Sequence, residues 1–149
     1  MNKQKINSWI LASRPRTLPA ALVPVMVGSA LAIYHGIFFP AYSIIALLCS
    51  ILIQIGTNFT NDLYDYLKGT DTAERKGPLR VLASGLISVN EMKWGIFLVF
   101  FTAFLLGLYL VYSVGLTILW IGIFSIVAGL AYTAGPFPLA YNGLGDLFV

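Results

Sequence analysis

Long apolar runs and short charged segments alternate along this chain. Thr17 to Asn61 is 45 residues without one Asp, Glu, Lys or Arg, and Trp94 to Gly145 is a second such stretch. Each is longer than the roughly 20 residues that cross about 30 Å of hydrocarbon. Turn residues divide them, His35-Gly36 and Pro40 in the first and Tyr112-Ser113 in the second. The pattern therefore predicts an all-α integral membrane protein with spans at about 17–34, 41–62, 94–111 and 115–132. An apolar run begins at Leu147-Phe148-Val149. A protein ending one turn into a span leaves backbone groups unsatisfied in lipid. The reading is thus of four to five N-terminal transmembrane helices of a longer protein, the chain ending as it enters a fifth span.

Local signals refine the picture. Pro19 and Pro24 lie in the first half of the first span and predict a kinked entry. Residues 5–16, with Trp9 and Ile10 as interfacial anchors, predict a short amphipathic helix on the membrane surface, ended by Pro15. Residues 68–91 form the one long hydrophilic connection, broken by Gly69, Gly77, Pro78 and Gly85. Ser88 with Glu91 reads as a capping box for the next helix. Residues 134–146 read as a loop from their Gly and Pro content.

Composition agrees with the membrane class. The 149 residues are 58% hydrophobic and only 10% charged, with mean hydropathy +0.84, whereas soluble domains carry about 25% charged residues. All nine Lys/Arg lie within 3–16 or 68–93, and the six acids lie within 62–91 or at Asp146. With four spans every charge falls on one side of the membrane, and the positive-inside rule makes that side cytoplasmic. The cations are not interleaved with stacking aromatics, which argues against nucleic-acid binding. The N-terminus does not read as a signal peptide: it has no apolar h-region before Arg14 and Arg16, and the apolar run that follows continues too far. Cys49 is the single cysteine and forms no intramolecular disulfide.

Candidate chemistry is concentrated in residues 58–80. Asn58, Asn61, Asp62 and Asp65 fall at i, i+3, i+4 and i+7, on one face of a helix. Carboxylates one turn apart repel unless a positive group sits between them, and a divalent cation is the usual answer. Hard oxygen ligands suit magnesium, which enzymes commonly share between carboxylates and substrate phosphates. Lys68, Arg75, Lys76 and Arg80 follow at once and could hold the remaining phosphate charge. The residues therefore point to a magnesium–diphosphate site at the mouth of a membrane helix. Two plainer accounts compete: acids solvated at a helix end, and loop cations present for topology alone. A non-catalytic carrier using Asp62 and Asp65 as a cation site is a third, opposed by the confinement of charge to one side.

N-D-L-Y-D-Y at 61–66, with Asn58 a turn earlier, resembles the first aspartate-rich motif of the UbiA-type intramembrane aromatic prenyltransferases. Lys68-Gly69-x-Asp71, Arg75-x-Gly77-Pro78-x-Arg80 and Ser84-Gly85-x-x-Ser88 are similar to the 1,4-dihydroxy-2-naphthoate branch of that family. So are Arg14-Pro15-Arg16-Thr17-Leu18-Pro19, Tyr132-Thr133-x-Gly135-Pro136 and Gly143-x-Gly145-Asp146. The resemblance implies a nine-helix bundle with a second aspartate-rich motif, of which this chain holds about four helices and only the first motif. Such a part is expected to be inactive alone. Where the family pattern often has a third carboxylate this chain has Gly69, with Asp71 as the substitute from the loop. The resemblance further implies Mg2+ held by Asp62, Asp65 and Asp71, bridging a polyprenyl diphosphate. Lys68, Arg75 and Arg80 would offset charge on the departing pyrophosphate, and Asn58, Asn61, Lys76 and Tyr132 would contact substrates. The implied acceptor, 1,4-dihydroxy-2-naphthoate, loses carbon dioxide on the way to menaquinone or phylloquinone, in the cytoplasmic (inner) membrane. Another aromatic acceptor such as 4-hydroxybenzoate is the alternative. The CDP-alcohol phosphotransferases also place acids at a membrane helix end, but need D-G-x2-A-R where this chain has Asp65-Tyr66-Leu67-Lys68-Gly69.

Overall fold

A computed structural model describes residues 3–69, 80–134 and 138–142. All regular structure among them is helical. The order is α1 (Lys3–Ala12), a 3-10 turn (Pro15–Thr17), α2 (Pro19–Tyr34), α3 (Pro40–Leu67), α4 (Val89–Val114), α5 (Leu116–Ala131) and a second 3-10 turn (Leu139–Asn142). α3 and α4, of 28 and 26 residues, are each long and apolar enough to cross a membrane. α1 and α2 pass that test only as a pair, bent by 54°. α5 is apolar but has 16 residues, about 24 Å at 1.5 Å per residue.

The helix ends follow local chemistry. Pro19 and Pro40 occupy first-turn positions of α2 and α3, where the missing N–H is unneeded in any case. Ser88 caps α4 as anticipated: Glu91 N donates to Ser88 Oγ at 3.3 Å and Ser88 N donates to Glu91 Oε2 at 2.8 Å. The break after α4 falls later than the Tyr112-Ser113 expectation. α4 runs on to Val114 and stops at Gly115, whose φ of 116° suits a residue without a side chain.

The N-terminus departs further from expectation. The amphipathic helix is Lys3–Ala12 rather than 5–16. It ends because Arg14 takes a left-handed conformation, φ 49°, the only such non-glycine among the described residues. The elbow runs on through the 3-10 turn to the 54° bend between Thr17 and Pro19, where Pro19 predicted a kinked entry, while Pro24 is accommodated inside α2. α1 also does more than rest on a membrane surface. Ser8 and Ala12 are buried, Trp9 packs on Phe59 with ring centroids 5.2 Å apart, and a side chain at Gly95 would strike the Trp9 indole. Lys5 Nζ donates to Leu86 O at 3.2 Å and pairs with Glu91 at 2.8 Å.

The buried apolar cluster therefore sits at the charged end of the helices. It comprises Ala12, Phe59, Leu63, Val81, Leu82, Ile87 and Met92, drawn from α1, α3, the 80–87 segment and α4. Along the spans the outward faces stay exposed, as at Met26, Trp120 and Phe124. Between helices in lipid, close contact replaces hydrophobic burial as the attraction. Gly56 lies against the Phe100 ring, and a Cβ at Gly129 would sit 2.4 Å from Thr57 Oγ1.

Candidate functional site

The last turns of α3 are polar yet buried. Asn58, Thr60, Asn61, Asp62 and Asp65 are each at most 9% exposed. Charged and amide groups persist at such depth only when bonded, and their partners come from three other parts of the chain. From the 80–87 segment, Arg80 Nη1 donates to Asp62 Oδ1 at 3.3 Å and Nη2 donates to Asp65 Oδ2. The three side chains are only 3–12% exposed. From the elbow before α2, Ser13 O and Thr17 Oγ1 both accept from Asn58 Nδ2 at 2.9 Å. From the turn after α5, Thr133 Oγ1 donates to Asn61 Oδ1 at 2.7 Å, and Thr133 O accepts from Lys68 Nζ at 2.9 Å.

Of the residues singled out from the sequence, Asp62, Asp65 and Arg80 are in direct contact. Asn61 and Lys68 meet through Thr133. Tyr132 is half-buried beside it in the chain. Asn58 lies on the same helix face, but its amide nitrogen holds the elbow. Asp71, Arg75 and Lys76 lie outside the described residues. Thr133 and Thr17 stand in two of the motifs that carry the family resemblance and Ser13 in none, and no contact was anticipated for any of the three. Their sequence separations of 72, 45 and 41 residues from their partners leave no local signal.

The donor set fits a magnesium ion in one specific respect. Asp62 and Asp65 converge closely enough to share a single guanidinium, so they can share a single cation. Magnesium is usually bound by one or two carboxylates, with waters and substrate phosphates completing the shell. Among the described residues no third acid, His or Cys joins them, which leaves the remaining positions to such ligands.

Beneath this polar end lies a cavity of about 680 Å3 between α2, α3, α4 and α5. Its wall is mostly apolar, with Ala21, Pro24, Phe104, Leu108, Ile118 and Ile126 among the lining residues. It reaches α3 at Gln54, one helical turn from Asn58.

Apolar helices long enough to span a bilayer, with paired carboxylates and a cation at one end over a largely apolar cavity, are the features of a membrane protein. The chain belongs to the UbiA prenyltransferase family, whose model matches residues 21–149. Curated relatives named 1,4-dihydroxy-2-naphthoate octaprenyltransferase are similar to it throughout. That of Haemophilus influenzae is 40% identical over all of this chain and 51% of its own length. That of Escherichia coli is 39% identical with the same coverage, and that of Bacillus subtilis 37% identical over 94% of this chain and 45% of its own. The chain thus spans about half the length of the curated relatives it matches. No solved structure matches it.

Proposed function

We propose that this chain contributes the first aspartate-rich half of a Mg2+-dependent prenyltransferase that joins a polyprenyl group to 1,4-dihydroxy-2-naphthoate, in menaquinone or phylloquinone synthesis. The observation that carries the reading is the buried Asp62–Arg80–Asp65 cluster above an apolar cavity. The relatives' names supply the substrate pair. The confinement of Lys and Arg to one side supports a cytoplasmic-membrane protein with the N-terminus and the 68–93 loop in the cytoplasm.

Asp62 and Asp65 are the residues that would hold the metal, with Asp71 from the loop. Magnesium would supply charge neutralisation at the diphosphate, making it a better leaving group. Arg80 and Lys68 stand at the same helix end; they, with Arg75 and Lys76 between them in the sequence, would offset the negative charge that the pyrophosphate gathers. The allylic C–O bond breaks and its electron pair leaves with pyrophosphate. The acceptor's ring carbon then bonds to the allylic carbon, and carbon dioxide departs as the ring regains aromaticity. The apolar cavity would receive the polyprenyl chain and keep water from the cationic carbon. Asn58 and Asn61 fix the elbow and the Thr133 turn around the reacting centre.

The test is transfer by membranes expressing the complete reading frame, with polyprenyl diphosphate offered alongside either 1,4-dihydroxy-2-naphthoate or 4-hydroxybenzoate. Magnesium-dependent, chelator-sensitive product with the naphthoate is the expected result. Product only with 4-hydroxybenzoate would move the acceptor assignment, and ion flux without any transfer would overturn the enzyme reading.

A further inference from the structure

Four polar side chains line the otherwise apolar cavity: Cys49, Ser50, Gln54 and Ser125. Three are already satisfied by helix backbone. Ser50 Oγ donates to Ala21 O at 2.8 Å, Ser125 Oγ to Ile121 O at 2.8 Å, and Cys49 Sγ to Ala103 O at 3.5 Å. Gln54 is different: the residue is half-buried, and its carboxamide, whose polar atoms stay accessible, makes no hydrogen bond among the described residues. An amide at membrane depth without a partner is costly, and polar residues held there face a cavity and serve a ligand.

We infer that Gln54 is a specificity-determining contact for the aromatic acceptor, bonding a hydroxyl or carboxylate on its polar edge. The inference rests on the prenyltransferase reading above and names the acceptor side of that same site. Three observations select this ligand. Gln54 shares a face of α3 with Asn58, one turn away, so it continues the site's polar edge into the cavity. It stands eight residues before Asp62, about 12 Å along the helix axis, too far for the diphosphate that the carboxylates and cations serve. The polyprenyl chain has no polar group to offer it. A fused two-ring acceptor, its reacting carbon against the allylic carbon, can extend a hydroxyl in that direction. A primary amide both donates and accepts, matching a hydroxyl or a carboxylate equally.

The experiment compares wild type, Gln54→Leu and Gln54→Asn, each expressed from the complete reading frame and assayed in membranes. Gln54→Leu should raise the KM for 1,4-dihydroxy-2-naphthoate roughly 10- to 100-fold and leave the KM for polyprenyl diphosphate within about two-fold, with Gln54→Asn intermediate. In parallel, the naphthoate alone should raise the thermal midpoint of purified wild type and of Gln54→Asn but not of Gln54→Met, a variant of similar volume chosen in case leucine misfolds. An unchanged acceptor KM with a lowered thermal midpoint would overturn the inference, because the amide would then be pairing with another part of the chain. Equal rises in both KM values would overturn it as well. Wild-type transfer is read independently, so loss of the enzyme reading itself shows as absence of product in the wild type.

Discussion

The side-chain hydroxyl of Thr133 donates to Asn61 Oδ1 while its carbonyl accepts from Lys68, so a single residue beyond α5 fastens both Asn61 of α3 and the C-cap of that helix. Thr133 is 3% exposed, and its loss would leave the Asn61 oxygen buried without that donor. Thr133→Val keeps the shape and removes the hydroxyl, and should cost about 1–3 kcal/mol. A lowered thermal midpoint in detergent, restored by Thr133→Ser, is the expected outcome. Equal midpoints for valine and serine would show that the bond contributes nothing.

Asp62 and Asp65 are buried with one cation between them. Asp62→Asn and Asp65→Asn keep the volume and remove one charge each. In the protein expressed from its complete reading frame, each should lower turnover by roughly 100-fold or more. Magnesium-dependent transfer that persists unchanged in both variants would sink the assignment.

Arg80 answers a different question, because its one positive charge pairs with two carboxylates at once. Removing one partner from a buried ion cluster typically costs about 3–5 kcal/mol. Arg80→Ala should therefore unfold at lower temperature than wild type in metal-free buffer. Added magnesium should restore more of that loss than it adds to wild type, since the carboxylates then need another cation. Arg80→Lys should recover only part, because an ammonium cannot reproduce the two-pronged contact. A magnesium response no larger in Arg80→Ala than in wild type would argue that the pair does not accept the metal.

Gly129 tests the packing that carries the site. A Cβ there would lie 2.4 Å from Thr57 Oγ1, so Gly129→Ala must push α3 and α5 apart or displace Thr57. Reduced stability and reduced turnover should both follow, and Gly129→Ala with Thr57→Ala should recover much of each. No recovery in the double variant would place the damage elsewhere.

How much of this was legible in the sequence depends on the range of the interaction. The apolar helices, the proline starts and the Ser88–Glu91 cap are short-range matters, and the chain spells them out. The helix face that gathers Asn61, Asp62 and Asp65 was also legible, because helical spacing alone puts them together. That Arg80 lies between the two acids was not; its charge read equally well as a phosphate ligand or a topological cation. Tyr112-Ser113 looked like a turn, yet nothing in either residue stops a helix, and Gly115 does. The pattern of α1 would suit a helix resting on lipid or one docked on protein, and only the distant Phe59 and Gly95 decide between them.

The ion pair between Lys5 and Glu91 joins residues 86 positions apart. At about 5–20 residues per second of synthesis, Lys5 is made roughly 4 to 17 seconds before Glu91 exists. Phe59 and Leu86, its other anchors, are also made after it. The contacts of α1 are therefore complete only once the first two turns of α4 have been made. Until then a factor that receives the nascent chain meets α1 without its partner at Glu91, whereas Arg80, the counter-charge for the carboxylate end of α3, is made before Glu91.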